Sequence, residues 1–534
     1  MIQKMYKQME LSEILAGGLL SWSTVLGIML RRNIHLGIMV WLFSVVIAII
    51  FTPIIIAILR FIGRNMVQLN TIKGINEKLS DRKIFLLIMI ILLICWFPYF
   101  LAYYPGIFAY DVGNQMEQIT TASYHTKHPL LHTFLIQIFY SLGDLIHSYT
   151  IGIALYNLFQ MILLAGIISY SYLNLYQMGI GKVIRYIILI YYALFPVHAM
   201  LSISVTKDII FSGFVLLFSV LYYRKVVKDK GNIIGYAALI MISVIMCLFR
   251  NNAIYAFFLS GFVNLFIYMR DRNKAKKIGS IWIVVLILYF VSNVFLIRIT
   301  NAQQGSIRES LSVPFQQISR TYNMHMEELS EEERKEIEEL IPGVLEYNPV
   351  IADPVKSSAE VRHNEKRIIQ LWARLLPQYF DTYVEAFLYN SYGSWFIDDT
   401  SNAYVYDNPG ETRRGYLISG CNTDYGVEHT SYFSNLEKNC EKLFSYNDYQ
   451  KIPIIRIVFA PALYFWIISI TAIYALCRKK SGVLTSITFL LVYHFTIMCG
   501  PCCLVRYMYP LMITMPFVVG VYLQEKPAGD RGKL

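Results

Sequence analysis

Charge is what this chain has least of. Asp, Glu, Lys and Arg make up 16% of its 534 residues, where a soluble domain carries about a quarter. With 56% hydrophobic residues and a mean hydropathy of +0.47, a soluble globular fold is excluded. Cysteine is scarce as well, eight in all, and none stands at a zinc-site spacing. No glycine-rich phosphate loop occurs, which removes nucleotide sites of that kind. Nucleic-acid motifs are missing too, so no nucleic-acid partner is expected. Lys4 and Lys7 precede an apolar run with no small-residue cleavage site behind it, which reads as an uncleaved anchor.

What the chain does have is long apolar runs. The length criterion of about 20 residues per crossing picks out 11–30, 35–59, 84–102, 148–172, 184–200, 208–223, 233–249, 252–269, 278–297, 455–476, 483–499 and 504–523. The expected fold is an all-α polytopic membrane protein of about 12 transmembrane helices, with an inserted, mainly α extracytoplasmic domain. Its parts are an N-terminal hairpin with a basic cytoplasmic loop over 1–83, a transmembrane core over 84–297 with an outer loop at 103–147, the extracytoplasmic domain at 298–454, and C-terminal helices over 455–534. No internal repeat and no interrupted span is visible.

The net charge of +11 divides unevenly. Residues 298–456 hold 24 of the 36 acidic residues and 16 of the 47 basic ones, a balance of −8 against +19 for the rest. Basic clusters fall on every second loop, such as Arg224/Lys225/Lys228/Lys230 and Arg478/Lys479/Lys480. By the positive-inside rule both termini are cytoplasmic and 298–454 lies outside. Arg31-Arg32 is the exception to this pattern. Cys421 and Cys440 lie in the outer segment, where oxidation would allow them to pair. Within that segment Ser330-Glu-Glu-Glu333 reads as a capping box opening a helix that ends before Pro342-Gly343.

The stretch 103–142 stands apart. Asp111 is one acid just beyond an apolar run, preceded by the turn residues Pro105-Gly106. His128-Pro129 then opens an amphipathic helix, with apolar residues at Leu130/Leu131, Phe134/Leu135, Ile138/Phe139 and Leu142. Proline suits the first turn, where a missing N–H costs nothing, and such a helix should lie in the membrane interface. Charges at a membrane edge are costly and mark function. The outer loops hold Asp111, Glu117, His125, Lys127, His128, His132, His198, Lys207, Asp208, Arg250 and Arg506, and the expectation is that they share a cavity. Asp111 is the candidate general base, with His128 orienting it or bonding substrate. Lys207, Arg250-Asn251 and Arg506-Tyr507 suit a phosphate group, with Tyr110 and Glu117 beside them. Asp208 is read as a substrate-binding residue, with capping of the helix that follows it as the alternative.

In this order of motifs the chain resembles the GT-C superfamily of polytopic glycosyltransferases, nearest the protein mannosyltransferase and aminoarabinose transferase type. The resemblance rests on Asp111 in the first outer loop and on His128-Pro129-Leu130-Leu131 after it. The second proline and the Asp-Glu pair of that type are absent, since Val112 follows Asp111. The chain also resembles a group of bacterial membrane proteins with Pro-Gly-x-Phe-x-Tyr-Asp (105–111), Thr-Lys-Asp (206–208) and Arg-Glu-x-Leu-Ser-x-Pro-x-Gln-Gln (308–317).

The resemblance implies sugar transfer, with inversion, from a polyprenyl-phosphate donor to a glycan, lipid or protein acceptor at the outer face of a bacterial cell membrane. Asp111 would take the acceptor proton, while Arg250, Arg506 and Lys207 stabilise the leaving lipid phosphate. Some GT-C members use a divalent metal. With a single loop acid no metal or other cofactor is expected here, although Asp208 or Glu117 would add a ligand. The competing readings are a transporter or flippase of lipid-linked glycans, a glycan ligase or polymerase, and a non-catalytic glycan-binding protein of the cell wall.

Overall fold

The computed structural model of the chain describes residues 10–72, 80–108, 111–229, 232–398, 423–444 and 448–525. It is almost wholly helical. The first hairpin is α1 (Leu11–Arg31) and α2 (Ile38–Thr71), and α3 (Asp81–Ala102) follows. A two-residue strand β1 (Ile107–Phe108) leads into α4 (Val112–Thr121), α5 (Leu130–Leu145) and α6 (Tyr149–Gln177). Next come α7 (Lys182–Leu194), α8 (Pro196–Ser202), β2 (Ser204–Val205) and α9 (Lys207–Tyr222), which runs on through a π-helical turn to Val227. Helices α10 (Ile233–Leu248), α11 (Ala253–Ile267) and α12 (Arg272–Thr300) complete the first half.

Among the described residues seven helices are long and apolar enough to cross a membrane, or up to nine if two bent pairs each count as one span. This fits a multi-pass membrane protein but falls short of twelve. Helices α10 and α11, at 16 and 15 residues, are apolar but shorter than the roughly 20 residues of a typical crossing. The run at 504–523 contains Pro510 and Pro516 inside its helix. The bent pairs also correct the expectation of uninterrupted spans. The chain turns by 49° between α7 and α8, and by 66° between Pro453–Phe459 and Pro461–Cys477. Each break has a proline as the first residue of its second helix, where proline starts a helix well and cannot continue the one before it.

Residues 307–390 form a helical unit with its own apolar core. It contains α13 (Ser312–His325), α14 (Glu331–Leu340), α15 (Asp353–Ser358), α16 (Glu365–Leu375) and α17 (Phe380–Asn390). Phe315, Ile318, Ile337, Leu340, Ile368 and Leu371 are fully buried there. The capping box is present: Ser330 Oγ accepts from Glu333 N and Glu333 Oε2 accepts from Ser330 N, at 3.2 and 3.0 Å. Gln316 and Gln317 of the 308–317 motif bond inside this unit, to Asn348 O and Tyr383 O at 2.9 and 3.0 Å, so that motif holds the unit together.

Arg31 finds its partner here. Its guanidinium pairs with Asp398 at 2.9 Å, and the adjoining His35 lies 2.6 Å from Glu385 of α17. The tip of the first hairpin is therefore docked on the 307–398 region, which accounts for Arg31 outside the loop pattern. A third apolar cluster, with Leu26 and Leu30 against Tyr389, Tyr392 and Phe396, seals that contact. Cys421 lies outside the described residues, as does its proposed pairing, while Cys440 is buried in α18 (Ser434–Phe444).

The remaining helices are α19 (Pro453–Phe459), α20 (Pro461–Cys477), α21 (Ser481–Met498) and α22 (Val505–Gln524). The last packs along α9 in the main core, which brings the two helix starts, Lys207 and Arg506, to the same end.

Candidate functional site

The site is built from five separated stretches of chain. Two of them are joined by the parallel pairing of β1 with β2, Ile107 opposite Ser204 and Phe108 opposite Val205. This ties the loop before Asp111 to the loop before Lys207. Gly106 makes the approach possible. Its φ of +138° favours glycine, and a Cβ there would collide with the Asn157 side chain and the Ile203 carbonyl. Helix α6 supports both loops from beneath with polar side chains. Asn157 Nδ2 donates to Pro105 O at 2.8 Å, and Gln160 Nε2 donates to Ser202 O and Ser204 O at 3.0 and 2.9 Å.

Asp111 sits at the N-terminus of α4, and its carboxylate turns away from that helix. Oδ2 pairs with Lys207 Nζ, lies 3.3 Å from Arg506 Nη1 and 4.0 Å from His128 Nδ1. Its side chain is 24% exposed, so the cluster reaches solvent at this carboxylate. Behind it is a second pair. Asp208, fully buried, holds Arg250 Nη1 and lies 3.6 Å from Arg506 Nε. Arg506 thus bridges the two acids.

Aromatic faces complete the walls. Arg250 stacks 4.6 Å from the Tyr507 ring centroid and 5.5 Å from that of Tyr493, and Arg506 Nη2 donates to the Tyr507 hydroxyl at 3.2 Å. Such contacts favour a guanidinium taken out of water. Asn251 Nδ2 donates to Thr126 O and Lys127 O at 3.0 and 3.3 Å, pinning the 250–252 turn to the His128 loop.

The electrostatics follow from this packing. Burial disfavours the charged form of Asp111, but Arg506 and Lys207 outweigh it and hold the carboxyl well below the usual carboxylate range. Burial, with Lys207 adding to it, pushes the His128 imidazole down to about 3, so this ring is neutral at physiological pH. Three cations then face two carboxylates, one positive charge in excess. Such a site suits an anion that can compete for Lys207 and Arg506.

The structure therefore brings together Asp111, His128, Lys207, Asp208, Arg250, Asn251, Arg506 and Tyr507. Three readings change. Asp208 does not cap its helix: Thr206 is the N-cap, and the Asp208 side chain points to the two arginines instead. Glu117 is exposed on α4, because the helical repeat turns it away from the face that carries Gln115. Pro129 stands one position before the first helical residue. Tyr110 lies outside the described residues. His198 is buried elsewhere, with Nδ1 3.0 Å from the Tyr509 hydroxyl.

His132 was among the candidates, but its partners Gln115, Tyr156 and Gln160 escaped the sequence reading. A buried polar ladder runs from Gln115 Oε1 to His132 Nδ1 at 3.0 Å, from His132 Nε2 to the Tyr156 hydroxyl at 2.8 Å, and on to Gln160 Oε1 at 3.1 Å. It links α4, α5 and α6 to β2. The available signal was the polar pair Tyr156 and Gln160, one helical turn apart in an apolar run. Among the described residues no group of three His, Cys, Asp or Glu side chains is arranged to hold a metal ion.

Residues 119–533 match the model of a family of unknown function (DUF6020), and the chain belongs to that family. His128, Lys207, Asp208, Arg250 and Arg506 fall within the match, while Asp111 precedes it. No curated protein and no solved structure matches the chain.

Proposed function

We propose that this protein is an integral membrane glycosyltransferase of the GT-C kind, taking a sugar from a polyprenyl-phosphate donor. The observation that carries the reading is Asp111, a partly exposed carboxylate held by Lys207 and Arg506 in a cluster with one excess positive charge. In the resting protein these cations make Asp111 a weak base. A donor phosphate that takes Lys207 and Arg506 for itself neutralises them and raises the proton affinity of Asp111. The base then becomes competent when the donor is in place.

The acceptor hydroxyl oxygen attacks the anomeric carbon with inversion and gives its proton to Asp111. The bond from that carbon to the phosphate oxygen breaks, and the lipid phosphate leaves with the electron pair. Lys207 and Arg506 stabilise the charge that grows on it. Asp208 and Arg250 keep Arg506 in register from behind. No step requires a metal. In this account the site faces the outside of a bacterial cell membrane, 298–454 is extracytoplasmic, both termini are cytoplasmic, and the short helices and the 505–524 helix bring the crossings to twelve. The acceptor is a glycan, lipid or protein.

Incubating membranes that contain the protein with a radiolabelled polyprenyl-phosphate sugar and cell-envelope acceptors tests this. A new glycosidic bond is expected, and its absence across hexosyl and pentosyl donors would contradict the reading. The two bent helix pairs favour a second reading, a carrier or flippase of lipid-linked glycans, since interrupted spans are common in transporters. That reading requires movement of intact lipid-linked sugar across vesicles with no bond formed.

A further inference from the structure

Arg506 and Tyr507 lie in the first turn of α22, and the loop that delivers them is held from outside the charged cluster. Residues 499–504 join α21 to α22 without forming a helix. The 307–390 unit grips three consecutive residues of this loop. Asn390 Nδ2 donates to Gly500 O at 2.7 Å, Ala352 N donates to Pro501 O at 2.7 Å, and Ile351 forms an antiparallel bridge with Cys502. Ile351, Cys502 and Leu504 are buried as one small apolar cluster, with Val350 and Tyr507 packed against it.

These grips lead back to one residue. Gln316 of α13 is fully buried, and its Nε2 donates to Asn348 O at 2.9 Å and to Asn390 Oδ1 at 3.3 Å. Asn348 opens the 348–352 segment and holds it with its own side chain, Oδ1 accepting from Val350 N at 3.0 Å. Asn390 ends α17. Its oxygen faces Gln316, which leaves its NH2 for the Gly500 carbonyl. Buried amides committed at both ends fix a backbone closely, because each unmade bond is costly.

Such fixing matters at the other end of the loop. Arg506 Nη1 lies 3.3 Å from Asp111 Oδ2 and its Nε 3.6 Å from Asp208 Oδ2, while Nη2 donates to the Tyr507 hydroxyl at 3.2 Å. A guanidinium donates in a rigid planar fork, so a small shift of this helix start breaks one of these contacts. We propose that Gln316 and Asn390 are positioning residues for Arg506 and Tyr507, acting through the Gly500–Leu504 loop. The 307–390 unit is in this way part of the anion site, although none of its residues belongs to the charged cluster itself. The coupling runs both ways: what loosens the unit weakens the hold of Arg506 on an anion, and what disturbs Arg506 is felt over 348–352. The consequence for a sugar donor rests on the glycosyltransferase reading, whereas the coupling does not.

The test treats the full-length, detergent-solubilised protein with phenylglyoxal, an arginine-selective reagent, and reads each arginine by peptide mass spectrometry. Arg506 should react slowly in the wild type, its side chain being 6% exposed. Asn390→Leu keeps the size of the side chain and removes its hydrogen bonds. Arg506 should then react about tenfold faster, as the loss of one buried hydrogen bond gives, while Arg320 inside the 307–390 unit stays protected. Gln316→Leu should act the same way, and the double variant should add little, because both act along one path. Equal rates at Arg506 would overturn the proposal, and so would a rise at Arg320 as large as at Arg506, which means that the unit merely unfolds. Where Asn390→Leu fails to fold, Arg506→Gln decides from the other end. Amide exchange should rise over 348–352 and not over 331–340, and unchanged exchange over 348–352 would overturn the proposal. In the transfer assay Asn390→Leu should raise donor KM about tenfold with acceptor KM unchanged, whereas a loss of folded protein lowers kcat alone. If the wild type transfers no sugar, the glycosyltransferase reading falls and the arginine labelling still decides the positioning role.

Discussion

Asp208 and Arg250 form an ion pair from which water is almost entirely excluded: the carboxylate is fully buried and the arginine side chain is 10% exposed. The pair joins the first turn of α9 to the turn between α10 and α11. Removing one charge of such a pair leaves the other stranded, which costs about 3–5 kcal/mol. Asp208→Asn should therefore lower the thermal midpoint of the detergent-solubilised protein markedly. The double variant Asp208→Asn/Arg250→Met should recover part of the loss. An unchanged midpoint in the single variant would mean that the pair is not desolvated as described.

Acid should act on the Asp111 cluster only at low pH. The folded carboxyl lies well below the usual range, so its contribution to stability is complete above the unfolded value of about 3.9. That contribution is lost as pH falls through the lower folded value. Lys207→Met removes one of the two main cations and moves the folded value up. The acid-unfolding midpoint should then shift to higher pH, and the basic form should be needed at higher pH in the transfer assay. A shift in the opposite direction would contradict the pairing.

Docking of the first hairpin depends on Glu385. Its side chain is 1% exposed, 2.6 Å from Arg320 Nη2 and 2.6 Å from His35 Nδ1. Glu385→Gln strands Arg320 and releases His35, with a cost of about 3–5 kcal/mol. Limited trypsin digestion should then cut faster at Arg31-Arg32. Equal cutting rates in the two proteins would place the hairpin contact elsewhere.

A smaller effect is expected at Ser330. Ser330→Ala removes the hydroxyl that caps α14 and should cost about 0.5–2 kcal/mol. The change should be local, read as faster amide exchange over 331–340 with the transfer activity intact. Unchanged exchange would show that Glu333 and packing alone hold that helix start.

Much of this was legible in the residues because membranes penalise charge so strongly. Asp111, Lys207, Arg250 and Arg506 stand out as ionisable groups at the ends of apolar runs, and the structure clusters them. The capping box at Ser330 and the helix before Pro342 follow from local hydrogen bonding, which a short stretch of chain specifies by itself. What was not legible depends on contacts distant in the sequence. Nothing in Asp208 announces Arg250, 42 residues away, so capping stood as the alternative reading. Arg31 looked misplaced until Asp398 was opposite it. In the ladder His132 stands out as an ionisable group, whereas Gln115, Tyr156 and Gln160 each pass alone for an ordinary core side chain. Helix breaks at Pro196 and Pro461 were visible as prolines, but hydropathy windows run straight through them.

The most direct test of the account is Asp111→Asn, which keeps the shape of the side chain and removes its basicity. The variant should insert and fold, bind polyprenyl-phosphate sugar, and transfer it at least about a hundredfold more slowly than the wild type, in keeping with the loss of a general base. Transfer at the wild-type rate by a properly inserted Asp111→Asn protein would contradict the central claim.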